Sequence, residues 1–208
     1  MSATAADAGQ VLVLVRAIEV LYERMAPSDP AVAGEIARVR SRLRSVPAPE
    51  RSFPWSEHPI VRHLASALAA RVHVAAEACS ALGAVGGHLP WRYGYARRDD
   101  APELGDRIAF AESVGPEAPF RSDTVCLGVT LIAPRTLYPE HRHPAIELYH
   151  VLSGTAAWSA GGSSRVVPPG SFVLHPSGVV HAMRTDEEPL LAVYTWTGED
   201  VRTTSVYV

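Results

Sequence analysis

The sequence predicts a mainly β protein, a barrel of short strands in the C-terminal half preceded by an α-helical N-terminal region. Three observations predict it. From Arg107 onward, short apolar runs alternate with Gly, Pro and Ser turn signals at close spacing, the pattern of an all-β sandwich or barrel. Before Gly83, apolar residues recur at helical spacing and alanine is abundant. Between Val129 and Leu152, ligand-type residues (His141, His143, Glu147) sit among flanks that read as core: Val129, Leu131, Val151 and Leu152. We place the helical region at 1–87 and the barrel at 88–208, with a soft border within 83–105 where the helices can pack directly on the barrel.

In chain order, the first helix starts at Asp7 or Gly9 and runs to about Met25, with Val11, Leu14, Val15, Ile18, Leu21 and Tyr22 on its apolar face. Pro27 and Pro30 break it, and Ser28 or Asp29 caps a second helix that runs to about Val46. Arg38, Arg40, Arg42 and Arg44 alternate around that cylinder as a solvated surface rather than one anion-binding patch. Residues 47–59 form a proline-rich loop carrying Phe53, Trp55 and His58. A third helix spans about 59–82; its His63 and His73 lack the glutamate spacing of a metalloprotease and read as packing or surface groups. Gly83, Gly86 and Gly87 end it. In the segment 88–100, Trp91, Tyr93 and Tyr95 alternate as strand residues do, either packing at the barrel edge or lining its mouth. Strands are expected at 107–113, 124–134, 136–143, 146–152, 154–160, 164–167, 171–175, 181–184, 190–197 and, briefly, 203–207, with the Gly161-Gly162 pair turning a hairpin.

Composition narrows the function. At 208 residues, 47% hydrophobic and 20% charged, the chain has an ordinary globular make-up. A net charge of −3 offers no electrostatic case for nucleic acid. No run approaches the ~20 apolar residues of a membrane helix, and VLVLV at 11–15 lacks the basic flank of a signal peptide, so no membrane partner and a cytoplasmic location are expected. Cys79 and Cys126 are too few for a disulfide framework and read as buried thiols in a reducing compartment.

His141, His143, Glu147 and Tyr149 are all odd-numbered, so a strand with local allowance for Pro144 points them to one face. Two imidazoles, a carboxylate and a phenol have the make-up of a transition-metal site, with His181 on a second strand as the remaining ligand. Such a set admits one divalent Fe, Zn, Mn, Ni or Co ion per chain, acting as a Lewis acid or generating a bound hydroxide. A phenol with an unperturbed pKa of about 10 is a poor base, but a neighbouring dication favours its phenolate. Tyr149 is therefore a candidate ligand, general base or both, against a wall tyrosine held by a hydrogen bond.

The stretch HRHPAIELYHVLSG resembles the first cupin motif, with His141, His143, Glu147 and the closing Gly154 in register. The second motif follows as Gly170 and, five residues on, the run from Pro176 through Gly178 to His181. Two positions depart from the family pattern: Arg135 stands where a glycine is usual, and Thr185 where an asparagine is usual. The resemblance implies a double-stranded β-helix, or jelly-roll, barrel. Tyr149, Tyr138 and Trp196, with the helical first half, are similar to the cupin-type dimethylsulfoniopropionate (DMSP) lyases.

That resemblance implies a small carboxylate substrate with a sulfonium head, cleaved to dimethyl sulfide and acrylate by β-elimination with Tyr149 or Tyr138 as base. Trp196 and Tyr194, of one parity on the last long strand, are candidates for the aromatic face that holds the sulfonium; a core tryptophan is the alternative at position 196. Other readings stand beside it: an isomerase or Fe(II) dioxygenase acting on another small carboxylate, and a non-catalytic binding cupin. A homodimer formed through an edge strand or an added helix is a further expectation.

Overall fold

The structure, a computed structural model, describes residues 7–49 and 57–208. Phe53 and Trp55 lie outside them. Helix α1 (Ala8–Arg24) begins where the Asp7 side chain accepts the Gly9 N–H at 3.1 Å. Helix α2 (Pro30–Leu43) begins at Asp29, which accepts the Ala31 N–H at 2.8 Å, with Pro30 in the first turn. The four arginines predicted to diverge do so: Arg38 pairs with Glu35, Arg40 with Glu23, Arg42 donates to the Thr124 carbonyl, and Arg44 is exposed.

The predicted third helix is not continuous. A 3-10 turn (Pro59–His63) leads into α3 (Leu64–Ala69), the chain bends by 118°, and a second 3-10 turn (His73–Ala75) leads into α4 (Ala76–Val85). Tertiary contact overrides alanine's helix preference here, because the Val72 N–H leaves the helical ladder to donate to the Leu152 carbonyl of the barrel at 2.9 Å. His63 is half-buried and His73 exposed, both away from the barrel interior. No single helix among the described residues is long and apolar enough to cross a membrane.

After a one-turn helix α5 (Leu104–Arg107) come strands β1 (Ile108–Gly115), β2 (Phe120–Arg121), β3 (Cys126–Ile132), β4 (Leu137–Arg142), β5 (Ile146–Ser153) and β6 (Ala156–Ala160). Strands β7 (Ser163–Val167), β8 (Phe172–His175), β9 (His181–Thr185), β10 (Leu190–Thr197) and β11 (Val206–Tyr207) complete the chain. They form a six-stranded sheet, β2-β1-β3-β10-β5-β8, and a five-stranded sheet, β11-β4-β9-β6-β7. Residues of both sheets close one interior, giving the barrel that the strand spacing predicted in the jelly-roll form that the resemblance implied.

The six-stranded sheet is buried on both faces. Its outer face (Leu127, Val129, Leu131, Leu148, Leu152, Leu191, Val193) shares one core with α1, α2 and α4. Its inner face lines the barrel with Ile132, Tyr149, Val151, Val173 and Tyr194. That explains the near-continuous apolar run of β5, broken only by residues that face the site or the helices. Helix α2 is also tied to β10, whose Thr197 hydroxyl donates to the buried Glu35 carboxylate. Cys79 and Cys126 are free and buried.

The two departures from the motif pattern have physical substitutes. Arg135 adopts φ +51°, the left-handed conformation that glycine takes without cost. It is held there by its N–H on the Asp186 carbonyl and by its guanidinium on Glu187. Thr185 donates its hydroxyl to the Ala133 carbonyl at 2.6 Å and accepts the Thr136 N–H at 3.0 Å, closing the β3–β4 turn.

Since the helices and the sheet share apolar burial, Leu148→Ala, at a fully buried outer-face position, is expected to cost about 3 kcal/mol. A single cooperative denaturant transition should persist, and a separate helical transition would contradict the shared core.

Candidate metal centre and substrate pocket

The four residues read as one in-phase set come from two facing sheets. Glu147 and Tyr149 point inward from β5 by simple alternation, and both are 2% exposed. His141 reaches them from β4 of the other sheet, and His143 lies just past the end of that strand. A single strand carrying all four therefore does not form; the turn through Pro144 crosses between the sheets instead. The shared direction survives because both strands face one interior. His181 starts β9, paired with His141.

Tyr138 is even-numbered yet inward-facing, next to His141. The register between β4 and β9 shifts between these two residues, a β-bulge over Pro139 and Glu140 that turns Tyr138 into the barrel. Its ring stacks on His141 with centroids 3.9 Å apart and planes 12° apart, and its hydroxyl bonds to that of Tyr95.

Each candidate histidine ligand is aimed the same way. Nδ1 of His141 lies 2.8 Å from the Pro139 carbonyl, Nδ1 of His143 3.1 Å from Ala145, and Nδ1 of His181 3.0 Å from Val179. A carbonyl only accepts, so each Nδ1 carries a hydrogen, and in the neutral ring each Nε2 presents its lone pair. Those lone pairs face a carboxylate: Glu147 Oε2 is 3.1 Å from His143 Nε2 and 3.3 Å from His181 Nε2. Buried His181 Nε2 has no hydrogen-bond donor. His143, Glu147 and His181 each bring a ligand atom within 4.8 Å of the others, and the His141 ring centroid is 4.0 Å from that of His181. Acceptors gathered on one point repel unless a cation lies between them, so this donor set fits a divalent transition metal.

The electrostatics agree. Burial, then the neighbouring His181, pushes His141 down to about 3, keeping it neutral and able to ligate. Burial also acts to lower His143, but the charge and hydrogen bond of Glu147 outweigh it, so without a metal His143 Nε2 takes up a proton toward Glu147 more readily than a free imidazole, at the place a metal ion would fill. Burial acts to raise Glu147, yet His143 and the other imidazoles hold it well below the usual carboxylate range. Burial, then the Glu147 charge for Tyr149 and the neighbouring phenols for Tyr138, holds both hydroxyls well above 10.

Trp196, half-buried, donates its indole N–H to Glu147 Oε1 at 2.8 Å and stacks on His143 at 4.4 Å, so it is part of the site wall rather than a core tryptophan. Tyr194 lies on the same face of β10. The sequence reading missed His175. It is fully buried, accepts the Trp158 indole N–H on Nε2 at 3.0 Å, and so donates Nδ1–H to Glu147 Oε2 at 3.3 Å. It is paired with Glu147 in register across β5 and β8. The clue in the sequence was its alternation with Val173 on a strand beside the ligand-bearing one.

The ligands open on a cavity of about 200 Å³, whose lining includes His141, Glu147, Tyr149, Tyr138, Trp196 and Tyr194. The segment 88–100 divides. Trp91 is core, its indole N–H on the Gly86 carbonyl, whereas Tyr93 and Tyr95 line the cavity.

A jelly-roll barrel with a histidine–glutamate cluster inside defines a cupin-type candidate metal site. Comparison with known proteins narrows this further. The family model described as dimethylsulfoniopropionate lyase matches residues 32–192. DddL of Cereibacter sphaeroides, whose name gives its dimethylsulfoniopropionate lyase activity as provisional, is 38% identical over 151 residues, 72% of this chain. The match spans 63% of that relative's length. The dimethylsulfoniopropionate lyase DddQ of Ruegeria pomeroyi is 32% identical over 179 residues, 86% of each chain. The crystal structure of DMSP lyase DddQ from Ruegeria pomeroyi superposes with a TM-score of 0.77 at 30% identity, covering 96% of both chains. A structure described with the DMSP lyases RdDddP and RnDddQII gives a TM-score of 0.80 at 22% identity, over 96% of this chain and 98% of the other, and supports the fold. The chain belongs to the dimethylsulfoniopropionate lyase family.

If His175 orients Glu147 rather than ligating, His175→Ala is expected to weaken Co(II) affinity by about 10–100-fold, as loss of an outer hydrogen bond does, while the cobalt absorption bands persist in saturated protein. Complete loss of specific binding would place His175 among the ligands.

Proposed function

We propose that the chain is a metal-dependent carbon–sulfur lyase that converts DMSP to dimethyl sulfide and acrylate by β-elimination. The observation that carries the reading is the convergence of the Nε2 atoms of His143 and His181 on Glu147, with the His141 ring beside His181 and two buried phenols lining the same cavity. Family membership supports the substrate. His141, His143, Glu147 and His181 would hold one divalent transition ion. When bound, such an ion supplies Lewis acidity to the substrate carboxylate and favours phenolate over phenol nearby.

The chain's own groups supply the rest. The Tyr149 phenol, whose proton affinity burial and Glu147 raise, becomes a strong base once deprotonated. As phenolate it removes a proton from the carbon next to the substrate carboxylate. The C–H electron pair becomes the new C=C bond, and the C–S electrons leave on sulfur as neutral dimethyl sulfide, so no acid is required. Tyr138 is the second candidate base. Its hydroxyl bond to Tyr95, a partly exposed residue whose hydroxyl also bonds Ser205, leads toward the surface and offers a route for the proton to leave. Trp196 and Tyr194 offer aromatic faces to the sulfonium.

Headspace dimethyl sulfide, with acrylate measured in solution, tests the reading on metal-reconstituted protein. Chelated protein and His143→Ala serve as controls and are expected to be inactive. Absence of dimethyl sulfide from a fully loaded protein would overturn it. Tyr149→Phe is expected to keep fold and metal content and to lower kcat by about 10²–10⁴-fold. If Tyr149→Phe turns over like wild type while Tyr138→Phe is silent, the base is Tyr138.

A further inference from the structure

The cavity has a second polar end that the elimination chemistry does not use. Four strands of the six-stranded sheet place their residues in one row across the inner face. Tyr149 on β5 faces Tyr194 on β10, Tyr194 faces Gly128 on β3, and Gly128 faces Glu112 on β1. The Tyr194 ring lies flat along this row, away from Tyr149, because Gly128 leaves space: a Cβ there would stand 2.6 Å from the ring. Its hydroxyl then reaches Glu112 Oε2 at 3.4 Å.

The Glu112 carboxylate has its own built seat. A bulge in β1 follows it, and a Cβ on Gly115 would stand 2.3 Å from Glu112 Oε1. Glu112 lines the same cavity as Glu147 and Tyr149. Burial raises its carboxyl pKa, and Arg92, Cys126 and Tyr194 only partly offset this. Arg92 lines the same cavity and favours the Glu112 carboxylate at a distance, but no salt bridge to Glu112 forms among the described residues. Keeping a carboxylate in such a place is costly unless a cation meets it.

We infer that Glu112 is the counter-ion for the onium head of the substrate and selects cationic over neutral ligands. This rests on the sulfonium-carboxylate reading of the site. The cavity is then matched at both ends to a zwitterion, with the ligand cluster for the carboxylate and Glu112, fronted by the Tyr194 and Trp196 rings, for the positive sulfur. Aromatic faces attract a cation through their quadrupole but also accept a neutral group of the same shape. A full negative charge tells the two apart.

The test compares two competitive probes on metal-loaded protein: the trimethylammonium analogue of DMSP and its neutral tert-butyl isostere. Wild type is expected to bind the cation at least about tenfold more tightly, a factor corresponding to about 1.4 kcal/mol. Glu112→Gln should erase that preference and raise KM for DMSP by about the same factor with kcat little changed, the signature of lost ground-state binding. Glu112→Asp, which keeps the charge, should retain the preference. Equal affinity of wild type for both probes overturns the proposal whatever the variants do. So does a folded Glu112→Gln that keeps the preference. If Glu112→Gln fails to fold, Gly115→Ala, which crowds the carboxylate from its seat, must reduce the preference or the proposal falls. A Glu112-dependent preference without any dimethyl sulfide release would retire the lyase reading and leave the cation site standing.

Discussion

The structure turns on one electrostatic arrangement, imidazole lone pairs held against the buried Glu147 carboxylate. Three backbone carbonyls, those of Pro139, Ala145 and Val179, fix which nitrogen of each candidate ligand carries hydrogen. Each sits two residues from its histidine, so local chain geometry rather than distant packing sets the tautomer. The carboxylate is oriented in turn by the Trp196 indole on one oxygen and by His175 on the other. Turning the His143 or His181 ring would bring its Nδ1–H to Glu147 in place of the Nε2 face. The carbonyls prevent this, and the site is thereby preorganised for positive charge.

The fold provides that preorganisation by keeping two sheets at a fixed separation. The six-stranded sheet is held between the barrel interior and the helices, so β5 and β10 are packed on both faces. The bend that interrupts the third predicted helix serves the same end, since Val72 bonds to the Leu152 carbonyl near the end of β5. Within the interior, residues of one sheet row divide the work: Tyr149 stands at the ligand cluster, Tyr194 crosses the row, and Glu112 closes the far side. The cavity is therefore polar at two ends and aromatic between.

The fold class and the candidate ligands were legible because they depend on local pattern. Alternation placed Glu147, Tyr149, Tyr194 and Trp196 on inner faces, and turn residues marked the strands. Features that depend on long-range pairing were not legible. The resemblance singled out Tyr138, but its inward orientation was not legible: it has the wrong parity, and only the bulge before His141 brings it in. His175 gains its importance from its pairing with Glu147 and from Trp158, which no local spacing shows. Tyr95 comes from a segment outside the regular strands, and its place beside Tyr138 depends on how that segment crosses the barrel mouth. Arg135 shows the opposite case: the backbone requires a positive φ there, and the chain meets it with a held arginine instead of glycine.

X-ray absorption spectroscopy of the zinc- or cobalt-loaded protein tests the central claim most directly. The account predicts a first shell of three imidazole nitrogens and one carboxylate oxygen at about 2.0–2.2 Å from the metal. Replacing His141, His143 or His181 with alanine should each remove one imidazole from the scattering. A shell with fewer than three imidazoles, or one unchanged when any of these histidines is replaced, would contradict it.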